Sequence, residues 1–264
     1  MQECTNMKTF GYPTYDAQGE MILSTYDNAY KEMLMDVRVY FMKAGASRTF
    51  SSSDEEIAVL LLNGNLTFCF DEERHSVTRK DVFTEGSWCV HICQGDTVVV
   101  EANADTEILV QKTKNEKRFA AKLYRPEDAP WRYVGVGKFG DVAKRRVSTI
   151  FDLDIAPYSN MVLGEVLNDR GNWSGYLPHC HPQPELYYFL FDRPEGFGAS
   201  FVGDEVFKSV NQSFSAIPGG LLHPQAVAPG FQMYTCWMIR HLDGQPWHQT
   251  DRNEDEKYMW LHEV

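Results

Sequence analysis

From residue 57 to residue 239 the chain is a succession of short β-branched, aliphatic and aromatic runs, each stopped within a few residues by Gly, Pro, Asn or Asp. Helical periodicity is scarce, and only residues 26–35 suggest a short helix or an irregular stretch. Such a pattern restricts the chain to an all-β architecture of many short strands. In the first half the runs are 57–62, 66–70, 88–92, 96–101 and 106–111; in the second they are 146–150, 161–166, 187–191, 213–217 and 233–239. Asn63-Gly64 reads as a two-residue hairpin turn, so the runs on either side of it should pair antiparallel. Residues 112–131 are polar and charged, with Pro126 and Pro130, and read as a connector. Two β-rich halves of similar size, without an obvious repeat, predict a double-stranded β-helix (jelly-roll) fold with two barrels in one chain, 1–125 and 126–264.

Four side chains in the second half have the makings of one divalent-metal site. Side chains alternate faces along a strand, so in His179-Cys180-His181 the two histidines point one way and Cys180 the other. Glu185 keeps the even spacing, although Pro182 and Pro184 argue against one unbroken strand. His223 closes the stretch Pro218-Gly219-Gly220-Leu221-Leu222-His223. Three imidazoles and a carboxylate suit a borderline divalent ion with positions left for substrate or water. Zinc, manganese, iron and nickel all accept such ligands. The plainer reading of His-x-His is two half-buried, hydrogen-bonded histidines. Against it stand the carboxylate four residues on and the later histidine motif. Only His75 and His91, of eight histidines, lie in the first two-thirds of the chain. Strand parity makes Cys180 a packed core thiol rather than a ligand.

Charge narrows the partners. A net charge of −12 over 264 residues opposes a nucleic-acid partner but not a small anion, which responds to local arginines and a metal. No run of about eighteen apolar residues occurs, so no membrane span is expected. Residues 1–6 lack the basic start and apolar core of a leader, and a cytoplasmic location is the expectation. Six cysteines without C-x-x-C spacing are expected to be reduced.

The histidine pattern resembles the cupin superfamily, whose first motif carries His-x-His with a nearby Glu and whose second carries Pro-x-Gly-x-x-His. Two turn positions depart from it: Gln212 stands where a glycine is expected and Val227 where an asparagine is expected. More narrowly, the second half resembles the 5-deoxy-glucuronate isomerase family of inositol breakdown. The similarity rests on Gly171-Asn172-Trp173-Ser174, Tyr176-Leu177-Pro178-His179-Cys180-His181, Glu185-Leu186-Tyr187-Tyr188 and Arg193-Pro194-Glu195-Gly196-Phe197-Gly198. His223-Pro224, Ala228-Pro229-Gly230-Phe231 and Trp247 continue it, and Arg145-Arg146-Val147 and Leu163-Gly164-Glu165-Val166 extend it upstream. The segment between His181 and Glu185 is shorter than that family's. A sister family, the uronate ketol-isomerase of pectin breakdown, shares the fold and ligand set.

The resemblance implies a bicupin whose first barrel lacks metal ligands and whose second holds one ion on His179, His181, Glu185 and His223. It implies an aldose–ketose isomerisation of a deoxy sugar acid, 5-deoxy-D-glucuronate to 5-dehydro-2-deoxy-D-gluconate. Glu185 and Tyr187 are the candidate proton carriers, Tyr187 because it shares strand parity with Glu185. Arg170, Arg193 and Arg240 are candidate clamps for the substrate carboxylate. Two other classes compete: a metal-dependent dioxygenase on the same scaffold, and a non-catalytic sugar-binding barrel. Spare edge strands make a homo-oligomer the expectation.

Overall fold

The computed structural model describes residues 8–263; Cys4 and the N-terminal residues read above for a leader lie outside them. Strands account for nearly all regular structure, and the helices among the described residues are two 3-10 segments, Lys31–Met33 and Glu256–Glu263. Among the described residues no helix is long and apolar enough to cross a membrane.

The N-terminal half is organised by one strand of 16 residues, Glu55–Phe70. Its first part pairs antiparallel with Trp88–Ile92 and Thr106–Lys114, its last part with Glu73–Arg79 and Thr97–Ala102. The hairpin expected at Asn63-Gly64 is therefore not formed. Gly64 takes φ +111° inside the strand, where a Cβ would meet Thr106 Oγ1 at 2.4 Å and Asp105 O at 2.7 Å. The register against Thr106–Lys114 shifts between Leu61 and Asn63. Glycine here serves a bulge that carries the strand from one sheet into the other, not a reversal.

In the C-terminal half a seven-stranded sheet runs in the order Phe10–Gly11, Phe214–Ile217, Glu185–Phe191, Met233–Arg240, Met161–Asn168, Arg145–Phe151, Arg132–Val134. A four-stranded sheet, Trp173–Ser174, Gln225–Val227, Phe197–Val202 and Glu205–Val210, completes it. The chain passes from one half to the other between Tyr124, paired to Cys89, and Arg132, paired to Val147. One element departs from a division at residue 125: Phe10–Gly11 forms an edge of the C-terminal sheet.

Alternation sorts the core into three layers. Along Glu185–Phe191 every residue is buried, because both faces are covered. Leu186, Tyr188 and Leu190 face a central layer shared with Ala58, Leu60 and Leu62 of the other half. Tyr187, Phe189 and Phe191 face the interior of the C-terminal half. Ile57, Val59 and Leu61 face the interior of the N-terminal half, which is aliphatic and aromatic. Burying this much apolar surface is the main stabilising term. Polar groups cross the central layer as well: fully buried Arg79 donates to Glu165 at 2.8 and 3.0 Å, and Tyr234 Oη donates to the same carboxylate at 2.7 Å. Gln212 takes φ +66° and donates to Glu107 at 3.2 Å, so the turn expected to need glycine keeps its left-handed backbone.

Candidate metal centre

Short loops, not one long strand, bring the histidines together. His179–Cys180 forms a two-residue ladder with Asn253–Glu254 of the C-terminal tail. The chain then bends through Pro182 and Pro184 before Glu185 opens the next strand. The loop before His223 is pressed against that bend: a Cβ on Gly219 would lie 1.8 Å from the Pro182 carbonyl, and Gly220 N–H donates to His181 O at 2.8 Å. Glycine in the Pro-x-Gly motif is thus required by close backbone approach.

His181, Glu185 and His223 are buried, and their ligand atoms lie within 4.8 Å of one another. Each of the three histidines is held at Nδ1 by a backbone carbonyl two residues away: His179 by Leu177 at 2.9 Å, His181 by Gln183 at 3.0 Å, His223 by Leu221 at 2.8 Å. Donation from Nδ1 leaves the Nε2 lone pair facing inward. Glu185 Oε2 then lies 3.1 Å from His181 Nε2 and 3.3 Å from His223 Nε2, acceptor against acceptor. His223 Nε2 is buried without a hydrogen-bond partner. A cation among these atoms resolves the conflict, and the N/O donor set fits a divalent ion.

His179 stands beside this group. Its ring centroid is 4.8 Å from that of His223, and Arg252 Nη2 lies 3.0 and 3.2 Å from its two ring nitrogens. Burial, then Arg252, push its pKa down to about 2, and burial lowers that of His223, so both rings are neutral at physiological pH. Tyr187 turns into the same cavity, where burial and then Glu185 hold its hydroxyl well above the usual phenol range. Tyr188 points the other way into the central layer, its hydroxyl unpartnered.

The cavity, about 130 Å³, is floored by the inward face of the seven-stranded sheet: Glu185, Tyr187, Thr235, Trp237, Ile239, Val166, Val147 and Arg145. Gly164 is required behind it, since a Cβ there would lie 2.3 Å from the Trp237 indole. None of the three arginines expected from the sequence lines this cavity, and that expectation is corrected. Arg170 is exposed and faces Asp192 at 3.4 Å, and Arg193 is exposed. Arg240 follows Ile239 on the strand, so it points to the opposite face, where Nε donates to Thr113 at 3.0 Å. Arg132, Arg145 and Arg252 line the cavity instead. Arg145 carried a signal in the sequence, since it shares parity with Val147 in the run 145–147. Arg252 carried none; it lies in the C-terminal tail, which folds over its own chain's site. Cys180 points away from the ligands as expected but is half-buried, not packed in the core.

Known proteins place this geometry. The chain resembles solved structures throughout its length: an IolB-like protein from Salmonella typhimurium LT2 superposes with a TM-score of 0.85 at 20% identity, covering 97% of this chain and 99% of that one. An oxalate decarboxylase formate complex from Lactobacillus farciminis gives 0.67 at 9% identity over 97% and 90%. A cupin 2 conserved barrel domain protein from Leptotrichia buccalis gives 0.51 at 13% identity over 84% and 88%. The fold is all-β and cupin-like. Among curated relatives, the 5-deoxy-glucuronate isomerase of Bacillus subtilis strain 168 is 27% identical over 261 residues, 92% of this chain and 91% of its own. That of Geobacillus kaustophilus HTA426 is 28% identical over 214 residues, 74% and 75%. The KduI/IolB family model matches residues 11–261, and the chain belongs to that family.

Proposed function

We propose that the protein is a metal-dependent aldose–ketose isomerase that converts 5-deoxy-D-glucuronate to 5-dehydro-2-deoxy-D-gluconate. The observation that carries this reading is the buried His181–Glu185–His223 group, whose ligand atoms face one another beside a cavity lined by three arginines. Relatives named 5-deoxy-glucuronate isomerase, aligned over most of the chain, favour it over the uronate ketol-isomerase reaction.

In the reaction a proton leaves the carbon beside the aldehyde and is delivered to the aldehyde carbon through an enediolate, while the proton of the adjacent hydroxyl passes to the former aldehyde oxygen. His179, His181, Glu185 and His223 would hold a divalent ion, which would supply Lewis-acid polarisation of the substrate carbonyl. The Nδ1 hydrogen bonds fix the imidazoles so that no reorganisation accompanies charge development. Tyr187, kept protonated, is set to donate to a developing oxyanion rather than to remove a carbon-bound proton. Glu185 is then the group that accepts and returns the carbon-bound proton. Trp247 and Trp237 wall the cavity and limit water.

In the same reading the two pairs of sheets are two barrels, 1–125 and 126–264, with Phe10–Gly11 lent to the second, and the enzyme is a cytoplasmic homo-oligomer. The test is conversion of aldehyde to ketone after chelation and after readdition of single divalent ions, with oxygen uptake followed in parallel. Metal-restored turnover without oxygen consumption is expected. Oxygen-dependent turnover would move the protein to the dioxygenase class, and a chelation-sensitive melting temperature without any turnover would leave a binding protein.

A further inference from the structure

A buried guanidinium without an anion is costly in a protein interior. The fully buried Arg79 meets that cost with the two oxygens of Glu165. Arg145 is also buried, at 6% exposure, yet among the described residues no carboxylate lies within salt-bridge distance of it. The charged or polar groups acting on it are a second arginine, Arg252, and Tyr187. Its hydrogen bond to the protein, from Nη1 to the Ala143 carbonyl at 2.8 Å, engages one edge of a five-donor fork. Gly135 holds that edge from behind: a Cβ there would lie 2.3 Å from Ala143 O and 3.3 Å from Arg145 Nη1. Arg145 borders the cavity.

Other donors in the same cavity also lack partners. Trp237 Nε1 and Trp247 Nε1 are buried without acceptors. Gln225 accepts at Oε1 from Ser174 at 3.3 Å and Thr235 at 3.4 Å, which leaves its amide N–H groups for a ligand. The cavity therefore holds unmatched donors on Arg145 and the two indoles as well as the acceptors of His181 and Glu185.

We infer that Arg145, with Arg252 at the rim above it, forms the subsite for the carboxylate of a sugar acid whose carbonyl end lies at the histidines. A planar carboxylate matches the guanidinium fork and supplies the partner that Arg145 otherwise lacks. The inference rests on the isomerase reading for which sugar acid is bound, not for the charge of the ligand.

Binding of D-glucuronate and D-glucose to the metal-loaded full chain, measured by titration calorimetry, tests it. Wild type is expected to prefer the acid by about 10-fold or more, and Arg145→Gln to lose about 10- to 100-fold in D-glucuronate affinity with D-glucose binding and metal content unchanged. Arg145→Lys should recover part of the loss. With 5-deoxy-D-glucuronate as substrate, the same loss should fall on KM more than on kcat. Arg252→Gln, at the exposed rim, gives a smaller loss of about threefold to tenfold and carries the test if Arg145→Gln does not fold. Equal affinity of wild type for the two sugars overturns the subsite, as does a folded Arg145→Gln variant that retains wild-type D-glucuronate affinity. Wild type that fails to turn over 5-deoxy-D-glucuronate sinks the isomerase reading instead, and the binding comparison still decides the subsite.

Discussion

The strand Glu55–Phe70 sends Ile57, Val59 and Leu61 into the interior of the N-terminal half, where they meet Phe68, Val98 and Val100. Its counterpart Glu185–Phe191 sends Glu185, Tyr187 and Phe189 into the interior of the C-terminal half. Both strands turn their other face to the same central layer, so the halves differ in what their inward positions carry rather than in how they alternate. An interior filled with aliphatic side chains stabilises by packing. One that keeps histidines, a carboxylate and an arginine leaves polar atoms such as His223 Nε2 without protein partners. The two histidines of the N-terminal half make the same point. His91 meets Glu56 at 2.9 Å and stacks on Phe151 at 4.5 Å in the contact between halves, and His75 pairs with Glu73 near the surface. Neither enters the N-terminal interior.

The sharpest way to break this contrast is His181→Ala. Metal content measured by elemental analysis should fall to background and turnover by about 10³-fold or more, with the far-ultraviolet circular dichroism retained. Retained turnover would show that the C-terminal interior does not work through a bound ion. The mirror experiment is Phe68→Ala in the N-terminal interior. Removing a fully buried ring should cost about 3–5 kcal/mol in denaturant unfolding, while metal content and turnover below the melting transition stay unchanged. A loss of metal there would mean that the first half shapes the site directly.

A finer comparison sets the two faces of one strand against each other. Tyr187→Phe should lower kcat by about 10²-fold without loss of metal, because it removes a hydroxyl held protonated beside Glu185. Tyr188→Phe removes a buried hydroxyl without a partner and should leave kcat alone and stability unchanged or slightly raised. Equal kinetic effects would deny Tyr187 its role. The smallest effect concerns pH. His179 and His223 titrate lower when folded than the ordinary 6.5, so the unfolded chain takes up protons first. Metal-stripped protein should be fully stabilised by these neutral rings above pH 6.5. It should lose stability through both rings below pH 6.5, about 1 kcal/mol of it from His179 by pH 5.5, in denaturant titrations. Histidine-to-alanine variants should flatten that slope, and a slope that survives both substitutions would place its origin elsewhere.

Several features were legible in the residues alone. Period-two runs predicted the strands 88–92, 161–166 and 233–239 close to their observed positions. Parity put Tyr187, not Tyr188, on the side of Glu185. Other features were not. Asn63-Gly64 suits a tight turn and a bulge equally well, and only the approach of Thr106 favours the bulge. Arg170 and Arg193 lie at the surface and Arg240 on the face of its strand away from the cavity, since nearness in sequence says nothing about which wall of a cavity a side chain joins.

What the sequence determined by itself is the all-β pattern and the ligand types, because alternation and donor chemistry are local properties of the chain. The tertiary structure decided which half keeps a cavity, that Arg145 and Arg252 face the histidines, and that the tail lies over the site. These depend on sheets packing face to face and on segments more than seventy residues apart meeting, as Arg252 meets His179. No local rule encodes such a contact, because it forms only once the central layer has fixed the two halves around it.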